Sequence, residues 1–187
     1  MPDSRKAVIL ARALDYLLDH GVADLSLRPL AKASGTSARL LIYHFGSRDG
    51  LITEVMDEVR ARMQGAFSAV AARSDGKRGS PLEGFWEYAT QPDARKYVRL
   101  LFEVQVLAMH RPKEFSKYLD RASGSWLSLA QGALKAHKQD PALATLSVAV
   151  VDGLMLELLS TGDKRRTTAA LALFQQLLEG SKTRRAR

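Results

Sequence analysis

Between Thr36 and Phe45 the chain reads TSARLLIYHF. The chemistry such a run can do is recognition rather than bond-making. Thr36, Ser37 and Ala38 are small, so a helix that starts there has a thin N-terminus able to approach another surface closely. Its free N–H groups and the positive end of its dipole suit phosphate. Arg39 falls on the outer side and carries the planar fork that matches guanine O6 and N7. Tyr43 and His44, at the far end, can hydrogen-bond backbone phosphates, and Arg28 and Arg48 can flank them on either side. Phosphate contacts of this kind set register, and base contacts read sequence. Taken singly, Arg39 is a solvated charge and His44 a packed histidine; only the grouping points to nucleic acid.

Residues for bond-making are missing at the required spacings. The sequence has no G-x-S-x-G, no H-E-x-x-H and no Walker A motif. The stretch Asp75-Gly76-Lys77-Arg78-Gly79-Ser80 lacks the hydroxyl residue after lysine and follows no strand, so it reads as a loop. His20, His44, His110 and His137 are scattered. His110 and Glu114 are four apart, but Pro112 between them rules out a helical metal pair. There is no cysteine, which excludes thiolate chemistry and fits a reducing cytosol. The reading is a cytoplasmic non-enzyme with no cofactor and no metal.

The elements that must position this run are helical throughout, and no strand candidate appears. Ala7, Leu10, Ala11, Leu14, Leu17, Leu18 and Gly21 recur at helical spacing, with Ser4 or Asp3 as cap and Gly21 as stop. A short helix from about Leu27 to Ser34 follows, with Ser26 as N-cap and Pro29 in its first turn, where a missing N–H costs nothing. Gly35 supplies the positive φ of a sharp turn, and Ala31 is small enough for the next helix to cross closely. That helix runs from about Ala38 to Phe45. Leu30, Leu41, Phe45 and Leu51 can close a small core against the first helix, leaving the outer face of residues 38–45 exposed. Ser47 caps a long fourth helix reaching about Arg73. Ser74 to Gly79 is a polar loop. Ser80-Pro81-Leu82-Glu83 is a capping box that starts a helix to about Thr90. Further helices are predicted at about Asp93–Met109, Lys113–Lys138, Asp140–Gly162 and Arg166–Glu179.

The segment from Leu25 to Leu51, with the first helix, resembles the DNA-binding domain of the TetR family of bacterial transcription regulators. The resemblance rests on Ala31, Gly35, Thr36, Ser37, Tyr43-His44-Phe45 and Ser47-Arg48-Asp49-Gly50-Leu51. It covers roughly the first 55 residues closely and the remainder only by helix number and length. Two positions depart from it. Leu41-Ile42 stands where the family has Leu-Tyr, so Ile42 offers an apolar contact, of the kind a thymine methyl accepts, in place of a tyrosine. Arg48 replaces a lysine and keeps its charge. The DNA-contacting set is then Ser26, Arg28, Thr36, Ser37, Ala38, Arg39, Tyr43, His44 and Arg48.

The resemblance implies an all-α fold of about nine helices. Residues 1–50 would form a three-helix helix-turn-helix domain, and residues 51–187 a C-terminal bundle for effector binding and dimerisation, with the fourth helix connecting them. The helix near 141–162 is apolar nearly all round, so more than one of its sides needs cover. By resemblance it pairs, with the last helix, against its copies in a second subunit, through Val150, Leu154, Leu158, Ala170, Leu171, Phe174 and Leu177. Two subunits would set two reading helices about one DNA turn apart, ~34–36 Å, on a palindrome. A small-molecule effector is implied in a cavity walled by Trp86, Phe102, Met109, Trp126 and Met155. Glu103, Gln105, Asp152 and Glu157 interrupt apolar stretches and each needs a partner.

Charge and hydropathy add little. The net charge is +8, but residues 1–50 carry seven Lys or Arg against five Asp, and much of the excess lies in Lys164-Arg165-Arg166 and Lys182–Arg187. The N-terminal apolar residues are spaced as a helix with charges between, unlike a signal peptide. No run reaches the roughly 18 apolar residues of a membrane span. The function implied is a repressor released from promoter DNA by its effector, which shifts the fourth helix and moves the reading heads apart. The alternatives are an effector-independent regulator or activator of the same fold, or a helical small-molecule or lipid carrier whose reading head no longer works.

Overall fold

A computed structural model describes residues 3–73, 80–133 and 140–185. Among them there are nine helices and no strand: α1 (Asp3–His20), α2 (Leu27–Ala33), α3 (Ala38–Phe45), α4 (Arg48–Arg73), α5 (Pro81–Ala89), α6 (Pro92–His110), α7 (Ser116–Ala133), α8 (Pro141–Thr161) and α9 (Lys164–Arg185). The expected loop at 74–79 and the expected end of the seventh helix near Lys138 lie outside the described residues.

Most boundaries follow local chemistry. Ser80 and Glu83 form the reciprocal capping box, with Pro81 at the first helical position. Asp140 caps α8 through its carboxylate, which accepts from the N–H groups of Ala142 and Leu143. Three boundaries move. α1 already includes Asp3, so its cap is neither Asp3 nor Ser4. Residues 111–115 are turns, so α7 starts at Ser116. α9 begins at Lys164 and continues through Gly180 to Arg185. Glycine at 180 weakens a helix without ending it, and no proline follows.

Two packed regions share one core. α1, α2 and α3 close around Leu14, Leu17, Leu30, Leu41 and Phe45, and α4 carries Leu51, Ile52, Val55 and Met56 into the same cluster. The buried stripe of α1 is Ile9, Ala13, Leu14, Leu17 and Leu18; Ala7 and Ala11, expected inside, are exposed. α4 leaves this head and packs on α5, α6 and α7. α8 packs between α7 and α9, burying Ala144, Ser147, Val151, Met155 and Leu158. By length and composition α8 would pass as a membrane span; here its packed side belongs to the bundle.

Candidate nucleic-acid interface

The reading head is built on the turn between α2 and α3. The Gly35 N–H donates to the carbonyl of Lys32 at 3.2 Å, and the Thr36 N–H donates to that of Ala31 at 2.9 Å. This pair of bonds is a Schellman closure, and it needs a left-handed residue at position 35. Gly35 has φ +67°, and a Cβ there would run into the Arg12 guanidinium on α1. Ser37 then caps α3, its hydroxyl accepting from the Leu40 N–H at 3.2 Å. The far end is fixed as tightly. Ser47 Oγ accepts from the Gly50 N–H at 2.9 Å, and a Cβ at Gly50 would meet the Phe45 carbonyl. Lys6 lies 5.1 Å from the centre of the Phe45 ring and pairs with Glu54 at 2.9 Å, which pins α1 to α4 across the end of α3.

With both ends fixed, α3 buries Leu41 and Phe45 and presents the rest outward. Tyr43 is 79% exposed, and Arg28, Ser37 and Arg39 are also exposed. Neither Arg28 nor Arg39 meets a carboxylate among the described residues. Ser26 is exposed, and its side chain makes no capping bond. Ala38 and His44 are half-buried, with His44 edge-on to Tyr43 at 5.3 Å. The structure therefore brings Ser26, Arg28, Ser37, Ala38, Arg39, Tyr43 and His44 to one end of the molecule.

Two residues of the expected set stand differently. Thr36 keeps its place at the thin start of α3, but its hydroxyl is buried in the turn without a partner. Arg48 is half-buried: its Nη2 donates to the Val22 carbonyl at 3.3 Å, and its Nε is buried without a partner. Arg48 braces α4 against the α1–α2 turn rather than reaching freely past it.

Sequence reasoning missed the contacts that hold this head on the body. Lys96, Arg99 and Glu103 form one stripe of α6 against the end of α1. Lys96 pairs with Asp19 at 2.7 Å and holds its carboxyl below the usual range. Arg99 donates to the Leu18 carbonyl at 2.6 Å, satisfying a helix-end acceptor. Glu103 accepts from the Val22 N–H at 2.9 Å. At the other end of the same helix, Arg111 forks onto Asp49 in the first turn of α4. The sequence signal was Glu103 in an apolar stretch; its partner is a backbone N–H 81 residues away.

The expected effector wall is not one surface. Trp86 is buried and donates from Nε1 to Thr168 Oγ1 at 2.9 Å. It sits beside a groove of about 250 Å³ between α5 and α9, also lined by Glu83, Glu87, Thr90 and Lys164. Trp126 instead meets Phe85, which meets Phe67, with ring centres 6.0 and 5.5 Å apart, an aromatic chain across α4, α5 and α7. Met155 is fully in the core and Phe102 is half-buried. Met109 is 61% exposed on α6 and walls no interior space. Of the other polar intruders, the Tyr118 hydroxyl donates to Gln105 at 3.4 Å and Glu157 pairs with Arg166. Asp152 has no cation beside it among the described residues. It is exposed in the single chain, yet partial desolvation by its surroundings pushes its carboxyl up to about 6.

The expected dimer set needs the same correction. Leu158 and Leu171 are 1% and 2% exposed in the single chain, so they belong to its own core. Val150, Leu154 and Phe174 are half-buried, whereas Ala170 and Leu177 are open. The apolar residues that α8 and α9 leave uncovered are Leu146, Leu156, Leu173 and Leu177, with Ala149, Gly153 and Ala169 among them.

Residues 9–55 match the family model of bacterial regulatory proteins, tetR family. Over 132 residues the chain is 28% identical to the HTH-type transcriptional regulator BetI 1 of Chromohalobacter salexigens, covering 68% of this chain and 63% of that relative's length. Among solved structures, it is similar to a transcriptional regulator from Rhodococcus sp. Rha1, with a TM-score of 0.70 at 18% identity over 84% of both chains. It is also similar to the multidrug binding protein EbrR complexed with imidazole, with a TM-score of 0.71 at 24% identity, over 93% of this chain and 89% of that one. At such identities the structural likeness speaks for the fold. The α1–α4 head carries the likeness: over residues 9–55 the chain matches the TetR family of bacterial regulatory proteins.

Proposed function

We propose that this chain is a sequence-specific regulator of transcription that binds palindromic double-stranded DNA as a homodimer and is released by a small-molecule effector. The observation that carries the reading is α3 itself. It is locked at both ends, buried on one side only, and presents Tyr43 outward beside an Arg39 that meets no carboxylate among the described residues. A guanidinium left unpaired on the crest of such a helix suits guanine, and the exposed Ser26, Ser37 and Arg28, with the half-buried His44, suit phosphates around it. No catalytic step is needed.

Two copies are required because one eight-residue helix touches few base pairs. The uncovered apolar strip of α8 and α9 supplies the contact, through Leu146, Leu156, Leu173 and Leu177, with Gly153 and Ala170 permitting close approach. EbrR has been solved with imidazole, proflavin and ethidium, which supports an effector-responsive body of this fold. Release needs only an effector that prefers the dimer geometry whose reading heads are misspaced. Selecting duplexes from random DNA with the full chain tests the function. An enriched palindrome, bound with an affinity that falls steeply with salt, is expected. No preference for any duplex, together with a log–log salt slope near zero, would overturn it.

A further inference from the structure

Two large apolar side chains on α3 lie outside its buried face and stay partly open to water. Leu40 is 36% exposed and Ile42 is 38% exposed, whereas Leu41 between them is buried. At 3.6 residues per turn the two stand about 160° apart around the helix, measured across its outer side. Arg39 and Tyr43 occupy the crest between them. The outer surface of α3 is thus a polar ridge with an apolar shoulder on each flank.

That cross-section has a counterpart in the major groove. The groove is ~12 Å wide and an α-helix with its side chains is ~10–12 Å across, so a helix lying in it meets both walls. Along the edge of each base pair, the exocyclic groups lie toward the middle and the purine N7 toward the purine's own strand. The C5 position of the pyrimidine lies toward its own strand, at the wall. Thymine carries a methyl group there and cytosine a hydrogen, so among the four standard bases only thymine offers the flanks an apolar partner.

We propose that Leu40 and Ile42 are specificity-determining residues that read the C5-methyl groups of thymines, one on each strand of a half-site, on either side of the base pair addressed by Arg39. This rests on the DNA-binding reading above and adds the base class to it. A serine or asparagine at either position would form hydrogen bonds to several bases. A branched aliphatic group forms none and gains only where it can be dehydrated against carbon. Neither side chain belongs to the buried core cluster, and thermal unfolding of each variant checks that the head stays folded.

The test uses the full chain and the duplex it selects from random DNA. Each thymine of a half-site is replaced in turn by deoxyuridine, which removes the methyl and nothing else. At the contacted position on each strand, affinity should fall about fourfold, the value that one buried methyl supplies. Leu40→Ala should abolish the thymine-over-uracil preference on one strand and Ile42→Ala on the other. The salt slope, which counts phosphate contacts, should stay unchanged. A selected half-site without thymine, or wild-type affinity indifferent to deoxyuridine at every position, overturns the inference while leaving DNA binding intact. Failure to select any duplex overturns the DNA-binding reading itself.

Discussion

Arg111, just past the end of α6, forks onto Asp49 in the first turn of α4: Nη1 reaches Oδ1 at 3.1 Å and Nη2 reaches Oδ2 at 2.8 Å. Asp49 is nearly buried, and a carboxylate at a helix N-terminus is already favoured by the helix dipole. The fork fixes the start of α4, whose next neighbour in the chain is the end of α3. With Glu103 on the Val22 N–H, α6 holds the reading head at two separate points.

Removing Arg111 leaves the nearly buried Asp49 carboxylate without its partner, and removing Asp49 leaves Arg111 only Glu114, 3.7 Å away. Asp49→Asn and Arg111→Ala should each cost about 1–3 kcal/mol of unfolding free energy. The double variant should cost clearly less than the sum, because the two act as one unit. Urea denaturation of the four proteins measures the coupling. Additive losses would mean that the fork contributes nothing as a pair.

Gly35 is the second sensitive point. Gly35→Ala must hold alanine at φ +67° and displace the Arg12 guanidinium. The backbone conformation alone costs about 1–2 kcal/mol. Thermal unfolding should therefore move down, and DNA affinity should fall further than global stability, since the turn sets the angle of α3. A Gly35→Ala variant as stable as the parent would refute the need for glycine there.

Arg39→Ala addresses readout alone. The side chain is exposed and makes no hydrogen bond or ion pair among the described residues, so the fold should be unaffected. Specific binding should drop by about 1–3 kcal/mol, with specificity relaxed at one base pair. Arg28→Ala should instead weaken all duplexes alike and lower the salt slope by about one. If Arg39→Ala weakens every duplex equally, the guanidinium sits on phosphate and the assignment to guanine is wrong.

How much of this was legible in the sequence depends on how local each feature is. The α2–α3 turn, the caps at Ser47 and Ser80 and the exposure of Arg39 and Tyr43 follow from residues within five positions of one another, whereas Thr36 and Ser37 were equal candidates for the cap of α3, which Ser37 takes. Direction over longer range was not legible. Arg48 looked free beside the reading helix, but its partner is a carbonyl in the α1–α2 turn. α8 was the hardest. It is apolar on every side, so the sequence carries no phase, and Leu158 and Leu171 could not be separated from Leu156 and Leu173. Only packing against α7 and between α8 and α9 shows which side is spent on the chain's own core.

That phase makes the dimer surface testable. Leu158→Ala empties a core site and should cost about 2–5 kcal/mol of stability. Its first effect should be on unfolding rather than on association. Leu177→Glu places a charge on the uncovered strip and leaves the monomer's packing alone. Sedimentation should show it monomeric, with half-site spacing no longer distinguished in DNA binding. A dimeric Leu177→Glu would move the interface elsewhere.

Asp152 gives the last prediction its sign. In the unfolded chain its carboxyl loses its proton near 3.8, whereas in the folded chain it keeps it to about 6. Between those values the native state holds more protons than the unfolded one, so this group makes stability fall as pH rises. Above about 6 the cost is constant, and below 3.8 it is absent. Because the residue is exposed in the single chain, screening keeps the effect small. Asp152→Asn, neutral at every pH, should raise the unfolding temperature at pH 7.5, and the gap to the parent should close by pH 4. A parent whose advantage over the variant grows toward neutral pH would mean that the carboxylate has found a cation, such as one from a second subunit.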